Sequence, residues 1–352
     1  MRLLVGLLLT IVVALAAPQP RCRPEQTTVR RDWADLSKQQ RTDFIDAVWC
    51  LRRLPSTLPN DQYPGVRDRY DDFVATHINY TLVIHNNGLF LPWHRELSYL
   101  FEKALQDECG YKGGLPYWNW PSFTSNLSAS PVFDGSDTSL SGDGLPDPTA
   151  PLASPPCPEN VACSPGHGGG CVHSGPFTNW TIHMGPISLS DVKSYAPLPS
   201  NAWTYNPRCL TRSFSESYLL AQNTHQFLDA MMATTNIIDF LEYMDPSGEG
   251  YFGAHGSGHR AVGSTMSDVF AAAQDPSFFL HHSMVDRMWT IWQGKDPATR
   301  TNALNGTTII YDPPGSPDVT LDTVAEWGVV GRARKLREVM DTTAYDYCYR
   351  YE

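Results

Sequence analysis

Six of the eleven histidines form two groups whose spacing suits metal binding. In each group a histidine on a predicted helix is followed by others in a turn, on the same helix face or on a returning helix. We refer to His77, His85 and His94 as the first triad, and to His255, His259 and His282 as the second triad. Two antiparallel helix pairs, each with one triad, would form a bundle around an enclosed metal site.

Neutral imidazole is a borderline-soft ligand that suits copper, zinc, iron and nickel. Three imidazoles per ion leave an open position, so two facing sites would hold dioxygen between two copper ions and supply two electrons to it. A closed zinc site would need a fourth protein ligand, and Cys would be expected in it. The pattern therefore favours a dicopper centre, with a mononuclear zinc hydrolase as the alternative that metal analysis would reveal.

Two stretches rich in aromatic residues surround His94 and His282. Residues 85–95 follow the pattern His-x(4)-Phe-x(2)-Trp-His-Arg, and residues 275–286 follow Asp-Pro-x-Phe-x(3)-His-x(3)-Asp. Aromatic walls exclude water, and we expect the carboxylate of Asp286 to orient a ligand ring. Together the two patterns resemble the copper-binding signatures of the type 3 copper family, which comprises tyrosinases, catechol oxidases and molluscan haemocyanins.

The resemblance extends from about residue 30 to the C-terminus, and the chain resembles the short secreted polyphenol oxidases of filamentous fungi. It implies a mainly α fold, a four-helix bundle around a dicopper centre with long disulfide-stapled loops and few short strands. It also implies that the first triad binds one copper ion and the second triad the other. His281 matches a family histidine that is not a ligand. Because Val83 replaces the Cys that some members cross-link to a ligand, that thioether is not expected.

The activity implied by the resemblance is oxidation of o-diphenols (catechols) to o-quinones, with reduction of O2 to water. Two alternatives use the same copper site. A tyrosinase proper also hydroxylates monophenols, and kinetics on a monophenol and a catechol would separate it. A haemocyanin-like O2-binding protein would bind O2 reversibly without turning over catechol.

Further positions bear on which reaction runs. Val269 corresponds to a bulky Phe over the first copper in some plant catechol oxidases, and its small side chain should leave the entrance open. Gly256 stands where several tyrosinases have an Asn that, with an upstream Glu, holds a water for deprotonating monophenols. Glu242 is the candidate for this Glu, and Glu249 is the runner-up. Because Gly256 has no side chain to orient water, diphenol oxidation should exceed monophenol hydroxylation. Arg260 would steer acidic substrates at the mouth.

Hydrophobic periodicity predicts helices that place these residues. Ser37 is predicted to cap the first of them. A long stretch rich in Pro, Gly, Ser and Asp (121–206) should form loops with a few short strands, and residues 324–352 should form short strands and turns. The predicted helices cover residues 32–54, 67–82, 97–105, 213–232, 256–261 and 278–292.

The N-terminus and the composition indicate the compartment and the partners. Residues 1–17 form an apolar run that ends in small residues, which predicts a secretory signal peptide cleaved after Ala16 or Ala17. Residues 18–352 are expected to form a single catalytic domain. Tyr345-Asp346-Tyr347 is followed by only five residues, so no C-terminal lid domain is expected. The net charge of −11 disfavours nucleic acid and anionic membranes as partners. Small phenols and O2 are the expected partners, whereas the sequence leaves the oligomeric state open.

Eight cysteines in a secreted chain predict up to four disulfides. Cys22 and Cys348 lie near the two ends and are a candidate pair, and the cysteines at 157, 163 and 171 would staple the loop region. Four N-glycosylation sequons fit the same compartment. Of these, Asn79 lies between two candidate ligands, where a glycan is not expected to fit. The sequon asparagines are Asn79, Asn126, Asn179 and Asn305.

Overall fold

A four-helix bundle carries the two histidine triads, as the sequence predicts. The computed structural model describes residues 22–149, 164, 166–187, 198–246 and 252–352. In the bundle, α3 packs against α2 and α8, and α7 packs against α8. The predicted signal peptide and part of the loop region lie outside the described residues. The four helices are α2 (Arg69–Ile84), α3 (Phe90–Cys109), α7 (Gly253–Val262) and α8 (Ser277–Lys295).

Helix α3 begins earlier than the periodicity predicts. Its first turn contains Pro92, which is tolerated there because the first turn needs no backbone N–H donor. The helix therefore includes His94, and it ends at Gly110, whose φ of 72° closes the C-terminus in the left-handed conformation. Helix α2 begins after Asp68, which accepts a hydrogen bond from the backbone N–H of Asp71.

Helix α7 is short and rich in glycine, and one of these glycines is required by packing. A Cβ atom on Gly258 would lie 2.3 Å from Cε1 of His281 in α8. The missing side chain lets the two helices approach each other, which offsets the low helix propensity of glycine.

Shorter helices surround the bundle. Ser37 caps the first of them with a reciprocal capping box to Gln40, as predicted. The single helix expected over residues 213–232 is two helices, because Thr224 caps a new helix by accepting a hydrogen bond from Phe227 N–H. A further helix, α6, was not predicted. These helices are α1 (Lys38–Leu51), α4 (Glu216–Gln222), α5 (His225–Ala233), α6 (Ile237–Met244) and α9 (Pro297–Arg300).

The strands in the described part of the chain are short and pair two by two. The first and the last are parallel and bring the two ends of the described chain together, whereas the other pairs are antiparallel. None of the described helices has the length and apolar character needed to cross a membrane. The pairs are β1 (Thr28–Arg30) with β8 (Tyr349–Tyr351), β2 (Gly144–Pro146) with β3 (Gly169–Val172), β4 (Thr181–Ile182) with β5 (Arg208–Cys209), and β6 (Val324–Trp327) with β7 (Gly331–Lys335).

Disulfides join segments that are distant in sequence. The predicted Cys22–Cys348 pair is confirmed, and a second bridge joins α1 to α3. Cys171 bonds to Cys209, which lies just beyond the loop region that it was expected to staple. The remaining two cysteines, at 157 and 163, lie outside the described residues.

Asp286 was predicted to orient a ligand ring, and this prediction is wrong for the described chain. Its buried carboxylate accepts hydrogen bonds from Arg30, Arg95, Tyr349 and Tyr351. Burial raises the pKa of this carboxyl, but the two guanidinium groups outweigh that effect and hold the pKa below its usual value. Asp286 thus fastens both ends of the chain to α8, and the histidines are oriented by other groups.

Candidate metal centre

The two triads meet inside the bundle. Within the first triad the ring centroids are 5.0 to 5.6 Å apart, and within the second they are 4.7 to 5.4 Å apart. Between the triads, the rings of His94 and His282 stack at 4.3 Å, and those of His85 and His255 lie 6.2 Å apart. The close approach required by the sequence argument is therefore present.

Five of the six rings are oriented through a contact at Nδ1, which leaves Nε2 for a metal ion, whereas Nδ1 of His282 is buried without a hydrogen-bond partner in the described chain. Four of the six histidines place Nδ1 within 2.8 to 3.0 Å of a backbone carbonyl oxygen, which fixes the proton on Nδ1 and leaves a lone pair on Nε2. A fifth, His255, makes the corresponding contact with a carboxylate. The four carbonyl pairs are His77 with Phe270, His85 with Thr81, His94 with Phe90, and His259 with Met266.

Several Nε2 atoms of the two triads have no hydrogen-bond partner in the described protein, as is expected of atoms that bind a metal ion. Those of His77, His94 and His255 are buried, and none of them has a hydrogen-bond partner among the described residues. The Nε2 atoms of His259 and His282 lie 3.3 Å apart. Because Nδ1 of His259 donates to the carbonyl oxygen of Met266, Nε2 of His259 can only accept and is available as a ligand atom beside Nε2 of His282. Two nitrogens on one tetrahedral ion at about 2.0–2.1 Å would be separated by about 3.3 Å.

Burial favours the neutral, metal-binding form of five of the six imidazoles. It lowers the pKa of His85 to about 4, with a further contribution from His255. It also lowers the pKa values of His77, His94, His259 and His282 well below the ordinary value, and the neighbouring rings add to the effect. Two facing sets of three imidazole nitrogens are a suitable donor set for a pair of copper ions.

His281 lies beside the second triad but has the opposite tautomer. The indole Nε1–H of Trp120 donates to His281 Nδ1 at 3.1 Å. The ring proton must then reside on Nε2, and Nδ1 is already occupied. His281 is therefore close enough to be grouped with the second triad but has no free lone pair for a metal ion.

Asp245 was not singled out from the sequence. It follows α6 directly, and its Oδ1 lies 2.9 Å from Nδ1 of His255. Glu242, the predicted partner residue, is exposed on α6, and the runner-up Glu249 lies outside the described residues. Because α6 was not predicted, no sequence signal distinguished the inward-facing Asp245 from the outward-facing Glu242.

The other predicted entrance residues lie on the segments that carry the ligands. Gly256 lies on α7, where a Cβ atom would be 3.1 Å from Cβ of Phe252. The guanidinium carbon of Arg260 lies 4.0 Å from the centre of the same phenyl ring, and burial lowers the pKa of Arg260. Val269 is partly buried and directly precedes Phe270, whose carbonyl orients His77.

A helix bundle that encloses two facing triads of imidazoles defines a binuclear metalloprotein of the type 3 copper class. Residues 67–295 match the family model described as the common central domain of tyrosinase. The chain belongs to the tyrosinase family of oxidoreductases, and its cofactor is a binuclear copper centre.

Relatives from filamentous fungi match the chain over nearly its whole length. It is 48% identical to the N-acetyl-6-hydroxytryptophan oxidase of Emericella nidulans, over 99% of this chain and 98% of that protein. It is 46% identical to Tyrosinase P of Aspergillus terreus, over 95% of this chain and 94% of that protein. Among solved structures, a mutant polyphenol oxidase from Thermothelomyces thermophila superimposes with a TM-score of 0.86 and 35% identity, covering 95% of this chain and 91% of the other.

Proposed function

We propose that this protein oxidises o-diphenols to o-quinones at the expense of O2. The first triad would hold one copper ion and the second triad the other. Two catechols lose four electrons and four protons in total, and one O2 takes them up to leave as two waters. The observation that carries the proposal is the pair of facing triads whose Nε2 atoms lack other partners.

The chain supplies ligation, orientation and a dry site, whereas copper, when bound, supplies the redox chemistry. Phe90 contacts rings of both triads, with His94 at 5.1 Å and His255 at 4.6 Å between centroids. Phe278 does the same on the other side, with His77 at 5.0 Å and His282 at 4.2 Å. Both phenyl rings are fully buried, so they exclude water and hold the imidazoles in place.

The residues around the second triad favour diphenols over monophenols. A monophenol must lose its proton before hydroxylation, and a positioned water with a carboxylate would assist that step. Gly256 offers no side chain to hold such a water. The nearby Asp245 carboxylate is engaged by His255 and by the backbone N–H of Asn86. We therefore expect diphenol oxidation to be much faster than monophenol hydroxylation.

A hydroxyindole that carries a carboxylate is a second candidate substrate. The relative that is 48% identical is named for the oxidation of N-acetyl-6-hydroxytryptophan, which contains a phenolic hydroxyl and a carboxylate. Arg260 follows a histidine of the second triad, and its guanidinium is paired with a phenyl ring. Such a cation is suited to bind the carboxylate of an acidic phenol.

Purified, copper-loaded protein should be assayed with 4-methylcatechol, tyramine and N-acetyl-6-hydroxytryptophan. The proposal expects fast oxidation of the catechol and a long lag or little turnover with tyramine. Immediate hydroxylation of tyramine would indicate a tyrosinase proper. Reversible O2 uptake without oxidation of any of the three phenols would indicate an O2 carrier. Preference for the hydroxytryptophan over the catechol would favour the second candidate.

We also propose that the protein is a secreted glycoprotein. The described disulfides fit an oxidising compartment. The asparagines of all four sequons are exposed. They include Asn79 on α2, although His77 on the same helix is buried. Protein from the culture medium should begin near residue 18 and lose mass with peptide N-glycosidase. An intact N-terminus in the medium fraction, or no change of mass, would contradict this proposal.

A further inference from the structure

We propose that Asp245 is a positioning residue that links the two triads and keeps their spacing suitable for a coupled pair of copper ions. This inference rests on the proposed roles of His85 and His255 as ligands. Asp245 lies outside both ligand motifs, and its side chain is almost fully buried.

The two carboxylate oxygens of Asp245 face different triads. Oδ1 accepts a hydrogen bond from Nδ1 of His255 at 2.9 Å. Oδ2 accepts one from the backbone N–H of Asn86 at 3.1 Å, and Asn86 directly follows His85. The rings of His85 and His255 lie nearly parallel, 6.2 Å apart, across the gap between the triads. One carboxylate thus connects a ligand segment of the first triad to a ligand ring of the second.

The turn after His85 depends on this connection. Asn86 has a φ of 47°, in the left-handed region that costs most residues energy and that Asn tolerates better than most. Its side-chain amide donates to the carbonyl oxygen of Pro246 at 3.1 Å. Its own carbonyl oxygen accepts from the backbone N–H of Tyr311 at 3.0 Å. The segment after α6 therefore holds both the turn and the ring of His255.

Asp245 also differs in kind from the other groups that orient the ligands. In the described part of the chain it is the single carboxylate that hydrogen-bonds to a ring of either triad. A backbone carbonyl fixes the tautomer of a ring, but a carboxylate additionally makes the imidazole a stronger donor to the metal. Outer partners of this type commonly contribute about 10- to 100-fold to metal affinity.

The test compares Asp245→Ala and Asp245→Asn with wild type and with Asp229→Asn, which removes an exposed carboxylate on α5. Each full-length protein is loaded with copper, and copper per chain is measured after competition with a chelator. The fraction of bound Cu(II) visible by electron paramagnetic resonance is measured in parallel, because a coupled Cu(II) pair is silent. Circular dichroism monitors the fold.

We expect wild type and Asp229→Asn to retain two coppers per chain with little visible Cu(II). Asp245→Ala should bind one copper about 10- to 100-fold more weakly, and its bound Cu(II) should become visible. Asp245→Asn should lie between them, because its amide oxygen can still accept from His255 while its NH2 group opposes the Asn86 N–H.

Wild-type copper content and spectral silence in folded Asp245→Ala would overturn the inference. If Asp245→Ala does not fold, the same result in Asp245→Asn would do so. A wild-type protein that holds a silent copper pair but leaves phenols unoxidised would instead refute the proposed function, since the copper measurements do not depend on turnover.

Discussion

The two triads converge on one site, but they are built differently. In the first triad, the rings of His85 and His94 hydrogen-bond to carbonyl oxygens four residues earlier in the same segment. In the second, the rings of His255 and His259 are oriented by residues that lie outside α7. Helix geometry therefore forms most of the first triad, whereas tertiary packing forms the second.

The helices that carry the triads also differ in length and glycine content. Helix α3 has 20 residues and a left-handed glycine that closes its C-terminus. Helix α7 has only ten residues, and three of them are glycines, whereas both helices lack a side-chain cap at the N-terminus and end at a glycine with positive φ. We call each triad with its helices one half of the site. Substitutions that alter packing should therefore disturb the second half more than the first.

Loss of a ligand should have the largest effect, and the effect should be the same in both triads. His94→Ala and His255→Ala should each bind fewer than two coppers per chain. Catechol oxidation should fall by more than the ~100-fold that loss of an outer partner can cost, because the ligand itself is gone. Metal analysis and oxygen consumption measure both effects, with the exposed His173→Ala as control. Full activity in either ligand variant would contradict the assignment of that histidine.

The buried ion pair just before the start of α8 should contribute strongly to the stability of the second half. Arg212 donates twice to Asp275, at 2.7 and 2.8 Å, and both side chains are fully buried. Arg212→Met would leave an uncompensated buried carboxylate, so the free energy of unfolding should fall by about 3–5 kcal/mol. Arg332→Met, at an exposed pair, should cost less than about 1 kcal/mol. Urea unfolding would measure both, and equal losses would show that burial is unimportant here.

Two of the three glycines of α7, Gly256 and Gly258, should differ in how well they accept a side chain. Gly258→Ala places a Cβ atom 2.3 Å from the ring of His281, whereas Gly256→Ala places one 3.1 Å from Cβ of Phe252. Overpacking at Gly258 should lower the free energy of unfolding by about 1–3 kcal/mol and reduce copper binding. Gly256→Ala should lower both the free energy of unfolding and copper binding by less. Thermal unfolding and copper titration of the pair test this, and the reverse order would contradict the helix contact.

Gly256→Asn should increase monophenol hydroxylation relative to diphenol oxidation. An amide there would supply the missing group for holding a water near a monophenol. The ratio of monophenol to diphenol turnover should rise on the order of tenfold, below the ~10²–10⁴-fold of a fully placed general base. Lag time on tyramine and rate on 4-methylcatechol measure the ratio. An unchanged ratio would show that Gly256 does not limit hydroxylation.

Acid should have the smallest effect until the pH approaches 4. An ordinary histidine is mostly protonated at pH 5.5, but burial lowers the pKa of His85 to about 4. Protons should therefore compete with copper at His85 only as the pH falls towards that value. Copper retained per chain after dialysis should change little between pH 7 and 5.5 and fall between pH 5 and 4. Release of copper already at pH 6 would contradict the low pKa.

Part of this architecture could be predicted because its signals are local. The capping box at Ser37 and the ligand motifs involve residues a few positions apart, so spacing alone revealed them. Helix α6 and the break at Thr224 were missed because helices of eight or nine residues rely on packing for their stability. Asn79 is exposed although it lies between two ligands in sequence, since neighbours in sequence on a helix can face opposite sides.

By itself, the sequence determined the two sets of three imidazoles, the aromatic frames around them and the fold family, because these depend on residue type and short spacing. Only the tertiary structure decided that Asp245 rather than Glu242 faces His255, that Trp120 sets the tautomer of His281, and that Cys171 bonds to Cys209. Each of these contacts joins residues from separate elements. Their pairing depends on how the helices pack, and no local pattern records that packing.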